Sequence, residues 1–285
     1  MSEYVYEPFA DSPEYREVNE MIVRRWMRMI TETGTRQIDR LLDLATGVGT
    51  MVDVFLKNLP AGLKQPSVLC VDQSSQALEQ TERRLKGRVH DLQLKQGLIE
   101  ELDLPKESVD VAMWGNGIHY LDEEAQFNAL TSVRRVLKPG GWFFFNSAFY
   151  ADSRPEETLP FYRAQIAKAV RKLKALGVGR DSKEKRVEAS NFLDQAYYQR
   201  LLEQTGFAVQ EMKKIAARLY RSAWESISGF SQYAAGALHG YPVDLAAEVL
   251  SEAVEPSLEE HGTRDENGEL YIPRNWLSAA ARAEK

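Results

Sequence analysis

Between Arg40 and Phe145 short apolar runs alternate with amphipathic segments, and this alternation limits the chain more than any other feature. Arg40 to Ala45, Ser67 to Val71, Leu92 to Lys95, Val109 to Trp114 and Trp142 to Phe145 read as strands. Met51 to Leu59, Ser74 to Lys86 and Asp122 to Leu137 between them read as helices, with Pro60 and Gly87 as stops. Pro139, Gly140 and Gly141 are expected to form a turn that no helix continues through. Strands separated by helices at this spacing make βαβ units, and so a doubly wound α/β sheet covered on both faces.

The alternation has decorations. Pro13 to Thr33 places Val18, Ile22, Trp26 and Met29/Ile30 on one helical face ahead of the first strand. Beyond Phe149 lie a basic amphipathic helix from Phe161 to Leu176, a polar loop "GVGRDSKEKR", a helix from Phe192 to Thr205 and a strand "AVQEMKKI". Helices are expected over Ser222 to His239 and Asp244 to Glu259. Arg163 to Arg186 is rich in Lys and Arg, whereas Asp244 to Glu269 is rich in acid, so the late chain changes sign along its length.

The 285 residues, 44% hydrophobic and 27% charged, suit one sizeable core, and no apolar run approaches a membrane span. One cysteine, Cys70, leaves no internal disulfide framework; with an acidic, aromatic opening in place of a signal peptide, the expected setting is cytoplasmic. A net charge of −6 speaks against a broad nucleic-acid surface. No His and carboxylate group has metal-ligand spacing, so no metal is expected.

The chemistry concentrates in "LLDLATGVGT", Leu41 to Thr50. Gly47 and Gly49 let the backbone turn sharply and let a ligand approach it, and the helix N-terminus that follows favours a negative group. The Lys-Ser/Thr of a phosphate loop is missing, and Val52 stands where a dinucleotide turn needs a third Gly or Ala. Asp43 would repel a pyrophosphate and suits an ammonium. Asp72, ending "VLCVD", can accept hydrogen bonds from both hydroxyls of a ribose, or cap the helix that begins after Gln73. The turn therefore reads as a seat for a cationic amino acid joined to a nucleoside.

"LLDLATGVGT", "VLCVDQS", "LDLPKESVDVAMWGNGIHYLD" and "RRVLKPGGWFFF" together resemble the class I S-adenosylmethionine-dependent methyltransferases over about residues 38 to 150, with "GFAVQEM" and "IPRNWLSAAARA" similar to that family's closing elements. The resemblance implies a Rossmann-like seven-stranded sheet of order 3-2-1-4-5-7-6 with its last strand antiparallel. It also implies an N-terminal helical cap (1–37), a cofactor-binding core (38–150), a helical lid insertion (151–190), a core helix and strand (191–221), a second helical lid (222–262) and a final strand (263–285). S-adenosyl-L-methionine would be the cofactor and S-adenosyl-L-homocysteine the product. Asp43, Ala45, Gly47 and Gly49 would line the methionine end, Asp72 and Gln73 the ribose, Leu98 and Ile99 the adenine, and Asn116 and Gly117 the methionine moiety. Ala45 replaces a common Gly, and Leu98 stands where an Asp often takes the adenine amino group, a contact Glu100 or a backbone carbonyl would then supply.

Methyl transfer needs alignment, exclusion of water and, for hydroxyl or amine acceptors, a base. His119 is the candidate base, or else a partly buried helix-start residue hydrogen-bonded to backbone; Tyr120 reads as wall. His239 and Tyr241 read as a surface loop tip, and His90 and His261 have no expected role. Aromatic lid segments suggest a small, hydrophobic or aromatic acceptor methylated at oxygen or carbon. The basic helix could touch an anionic membrane or substrate, or simply face water. The competing readings are a small-molecule N-methyltransferase, a nicotinamide-dependent oxidoreductase, and an adenosylmethionine-binding protein that transfers no methyl group or modifies protein or RNA.

Overall fold

The computed structural model describes residues 7–181 and 191–284, so the later part of the expected polar loop and the end of the first expected lid lie outside the described residues. The elements run α1 (Glu7–Ala10), α2 (Pro13–Glu32), β1 (Arg40–Leu44), α3 (Thr50–Lys57), β2 (Ser67–Asp72), α4 (Ser75–Leu85), β3 (Leu92–Gln96), β4 (Val109–Gly115), α5 (Glu123–Val136) and β5 (Leu137–Ser147). Then follow α6 (Leu159–Ala175), α7 (Gln195–Gln204), β6 (Phe207–Tyr220), α8 (Arg221–Ser228), α9 (Ser231–Ala237), α10 (Val243–Glu252), α11 (Val254–His261), β7 (Thr263–Arg264) and β8 (Leu270–Ala283).

The strands form one sheet of order β3-β2-β1-β4-β5-β8-β6. Neighbours from β3 to β5 pair in parallel, and β8 runs antiparallel to both β5 and β6. This is the expected Rossmann-like topology. The one addition is the two-residue β7 on β8, which moves the expected seventh strand to eighth place.

Side-chain alternation divides the core. Phe143 and Phe145 point to the layer holding α5 and α7, whereas Trp142 and Phe144 point to the layer holding α2 and α3. There Trp26 stacks on Phe144 with centroids 4.9 Å apart, and its indole N–H donates to Ser278 Oγ at 3.0 Å. Burying each such ring contributes on the order of 2–3 kcal/mol. Ser12, ahead of Pro13, caps α2 by accepting the Tyr15 N–H. A third cluster, built on Ala169, Leu173, Leu238, Val249 and Leu250, holds α6, α9 and α10 together.

Several local expectations are corrected. Pro139 to Gly141 is a bulge inside β5, not a turn before it. Leu137 already pairs with Val109, and Gly140, at φ 74°, offers its carbonyl to Arg282 Nε at 2.9 Å. The strand "AVQEMKKI" extends over fourteen residues, because β6 stays paired with β8 from Phe207 opposite Ala283 to Tyr220 opposite Tyr271. The two long late helices are each divided, the first where Gly229 ends α8 and Phe230 turns extended, the second at Ala253. Lys168 bonds Glu260 at 2.7 Å and Lys172 pairs with Glu252. The basic helix thus faces the acidic segment of the same chain. Among the described residues no helix is long and apolar enough to cross a membrane.

Candidate active site

The strand order reverses between β1 and β4, and a cavity of about 360 Å³ opens beyond the carboxyl ends of β1, β2 and β4. Of the residues expected to hold a cofactor, Asp43, Ala45, Gly47, Asp72, Gln73, Leu98, Ile99, Asn116 and Gly117 all line it. Gly49 lies behind the wall as the residue before α3, at φ 76°, where a Cβ would come within 3.2 Å of Thr81 Cγ2. Tyr15 from α2 and Phe230 from the junction of α8 and α9 complete the wall.

The first turn is fastened on three sides. The Thr46 N–H donates to the Val71 carbonyl at 3.1 Å, the Thr81 hydroxyl to the Gly47 carbonyl at 2.8 Å, and the Gly47 N–H to Asp72 Oδ2 at 2.9 Å. Asp72 Oδ1 accepts the Ser74 N–H at 2.9 Å, while Ser74 itself caps α4. Asp72 therefore braces two turns and leaves the capping to Ser74. Its oxygens keep lone pairs for further donors.

Asp43 is fully buried. Its Oδ2 accepts the Thr46 hydroxyl at 2.6 Å, and its Oδ1 has no partner among the described residues. Burial pushes its pKa up to about 7; the Thr46 bond opposes the rise and the nearby Asp72 charge adds to it. An unpartnered carboxylate oxygen beside a cavity matches an ammonium group. Thr50 Oγ1, at the start of α3, is likewise buried and unpartnered. Leu98 leaves 49% of its surface exposed, an apolar face for a flat ring, with Glu100 beside it on the cavity wall. The donor set and the apolar face fit an amino-acid-bearing nucleoside.

Backbone shape matters at two further places. Ala45 and Asn116 have left-handed backbones, φ 47° and 49°. The departure at Ala45 is therefore more than an added methyl, since a left-handed alanine is strained. At the end of β4 a Cβ on Gly115 would lie 2.3 Å from Met51 Cγ, and one on Gly117 would lie 2.5 Å from Trp114 Nε1.

His119 is not brought to the cavity; Tyr120 lines it instead. The imidazole is buried with Nδ1 3.0 Å from Ser147 Oγ, stacks on Phe149 at 4.3 Å and leaves Nε2 without a partner. Burial first, and the Arg274 charge second, lower its pKa to about 3, so the ring is neutral. The remaining histidines and Tyr241 do not line the cavity either. Among the described residues no group of His, Cys, Asp and Glu is placed to hold a metal ion.

Sequence reasoning missed a buried amide chain. Asn146 Oδ1 accepts the Asn116 N–H at 3.0 Å, Asn146 Nδ2 donates to Asn19 Oδ1 at 2.9 Å, and Asn19 Nδ2 donates to the Tyr15 carbonyl at 2.7 Å. It ties β4, β5 and α2 together and sets Tyr15 on the cavity. The available signals were an Asn inside "FFFNSAF" and an Asn on the apolar face of α2.

Residues 41–141 match the model of a methyltransferase domain. Over 123 residues the chain is 34% identical to the ubiquinone/menaquinone biosynthesis C-methyltransferase UbiE of Francisella philomiragia, covering 42% of this chain and 47% of that protein. It is 30% identical over 146 residues to the UbiE of Coxiella burnetii, covering 49% and 56%. The chain spans about half the length of these curated relatives. The crystal structure of the YcgJ protein from a Bacillus species superposes over 91% of this chain and 98% of that one, with a TM-score of 0.53 and 16% identity, a likeness of fold.

Proposed function

We propose that this chain is a class I S-adenosylmethionine-dependent methyltransferase that transfers a methyl group to an oxygen or carbon of a small, largely apolar or aromatic acceptor by in-line displacement. The observation that carries the reading is the unpartnered Oδ1 of buried Asp43 on the cavity wall, beside the turn that Asp72 braces. S-adenosylmethionine supplies, when bound, a methyl group on a positively charged sulfur.

In this reading Asp43 receives the ammonium of the cofactor's amino-acid end, and Thr50 with the start of α3 receives its carboxylate. Asp72 accepts the ribose hydroxyls through its remaining lone pairs, beside Gln73. Leu98 and Ile99 flank the adenine, and Asn116 and Gly117 border the methionine moiety. Tyr15, Tyr120 and Phe230 close the cavity over the reacting end and exclude water. His119 is neutral and lies behind the wall, so it acts as a positioning residue for Phe149 and Tyr120, against which its ring packs. Carbon acceptors, and acceptors that ionise by themselves, fit a site that relies on alignment. The named relatives are C-methyltransferases, which supports carbon as one acceptor atom.

The oxidoreductase reading fares worse, because Asp43 and Asp72 together would face a pyrophosphate at the first turn. Calorimetry with S-adenosylhomocysteine and with NAD(H) separates the two, and labelled methyl transfer to phenols, quinols, amines and isoprenoid acceptors tests the acceptor class. Tight NAD binding without adenosylhomocysteine binding would overturn the proposal.

A further inference from the structure

Two arginines around Tyr162 have no acidic partner among the described residues. Arg274, on β8, is 4% exposed. Its Nη1 donates to the Tyr162 hydroxyl at 3.0 Å and its Nη2 to the Ala148 carbonyl at 2.6 Å, both neutral acceptors. That leaves three of a guanidinium's five N–H donors unused. Arg154 is half-buried, its guanidinium 4.1 Å from the centre of the Phe192 ring and 5.2 Å from that of Tyr162. Among the described residues no carboxylate forms an ion pair with either one, whereas Arg16, Arg84, Arg218 and Arg221 on the surface are all paired.

Holding two guanidinium groups around Tyr162 and Phe149 without a counter-charge is unfavourable, and the ring contacts, including Arg274 at 5.0 Å from the Phe149 centre, offset only part of it. Arg274 has a structural use in joining β8 to α6 and to the end of β5. Among the described residues Arg154 makes no such bond, so packing alone does not account for the pair. The position of Arg274 on a cavity wall does, with Arg154 beside it across the Tyr162 ring. Arg274, Phe149 and Trp224 border a small cavity with Asn116, and Asn116 also lines the main cavity. At about 10 Å³ the gap holds a water-sized group, so a larger guest requires α8 or its side chains to shift.

We propose that this chamber receives the anionic head of an otherwise apolar acceptor, a carboxylate or phosphoryl oxyanion, with Arg274 on its wall and Arg154 across the Tyr162 ring as its counter-charges. The proposal rests on the transferase reading above and sharpens it: the acceptor is an amphiphilic acid whose apolar body lies against Phe149 and the main cavity's Tyr15, Tyr120 and Phe230. The planar guanidinium fork suits either oxyanion.

The test uses the full chain saturated with S-adenosylhomocysteine and titrates octanoate, octyl phosphate and octanol by calorimetry. At least one anion is expected to bind about tenfold or more tighter than octanol, the scale of one charge-assisted hydrogen bond. Comparing octanoate with octyl phosphate identifies the head group. In Arg154→Gln, and separately in Arg274→Gln, the ratio of anion to octanol affinity is expected to fall toward one, a readout that does not depend on the fraction of protein that folds. Equal binding of all three probes, no binding of either anion, or a preference that survives both substitutions overturns the proposal. Absence of S-adenosylhomocysteine binding would instead overturn the transferase reading.

Discussion

The Asp72 carboxylate accepts the Gly47 N–H at 2.9 Å, so the acid after the second strand holds the turn after the first in shape. Replacing it by Ala leaves the Gly47 and Ser74 donors unmet. We expect Asp72→Ala to lose about 2–4 kcal/mol of ligand-free stability in denaturant melts, and Asp72→Asn less, because an amide oxygen can still accept one bond. Adenosylhomocysteine affinity should fall more than roughly tenfold in the Ala variant. Unchanged stability would show that the brace is not needed.

Asp43 gives a pH dependence of definite sign. Its folded pKa is raised to about 7, so the folded chain keeps a proton that the unfolded chain releases above about 4. Ligand-free stability should therefore decline as pH rises from about 4 to about 7. Binding of an ammonium group requires the ionised form, so adenosylhomocysteine affinity should rise over the upper part of that window and then level. Calorimetry across pH checks this, and Asp43→Asn should flatten both trends.

Gly115→Ala and Gly117→Ala should each cost about 1–3 kcal/mol by overpacking against Met51 and Trp114. Gly97→Ala has open space and an ordinary backbone, so its melting temperature should stay at the wild-type value. Equal losses at all three positions would contradict the close approach at the end of β4.

Ala45 stands at φ 47° beside Gly117, where a Cβ would lie 3.2 Å from its own. Ala45→Gly removes about 1 kcal/mol of strain but frees the unfolded chain by about 0.4–1 kcal/mol, so stability should barely change. Ala45→Val, a branched side chain on a left-handed backbone, should be strongly destabilising by the same melts.

Asn19→Ala removes the acceptor of a fully buried Asn146 amide. About 1–3 kcal/mol should be lost. Hydrogen exchange should quicken along α2, and a change confined to the mutated position would argue against the amide chain as a tie between cap and sheet.

Most of the core was legible because its signals are local. A βαβ unit declares itself by apolar runs and stops, and the first turn by Gly47, Gly49 and its two acids. The helices after β6 were less legible: the break at Phe230 lies within a helical pattern, and only in the fold does Phe230 stand on the cavity wall. The length of β6 was hidden because "KKIAARLY" has no clean alternation; its strand state comes from pairing with β8.

The sequence by itself determined the alternation of strands and helices and the glycines and acids of the first turn, since these follow from short-range pattern and spacing; the sheet order and the residues of the cavity wall were implied by the likeness to methyltransferases. Tertiary structure alone decided what the charges do. His119 lies within a few residues of the wall in sequence, yet burial makes it neutral and sets Tyr120 in front of it. Lys168 and Lys172, basic in a list of residues, are matched by acids some eighty or more positions away. Arg154 and Arg274, far apart along the chain, meet around Tyr162 without a matching acid among the described residues. Desolvation and pairing depend on what lies within a few ångströms, and for residues so distant in sequence only the folded chain sets that distance.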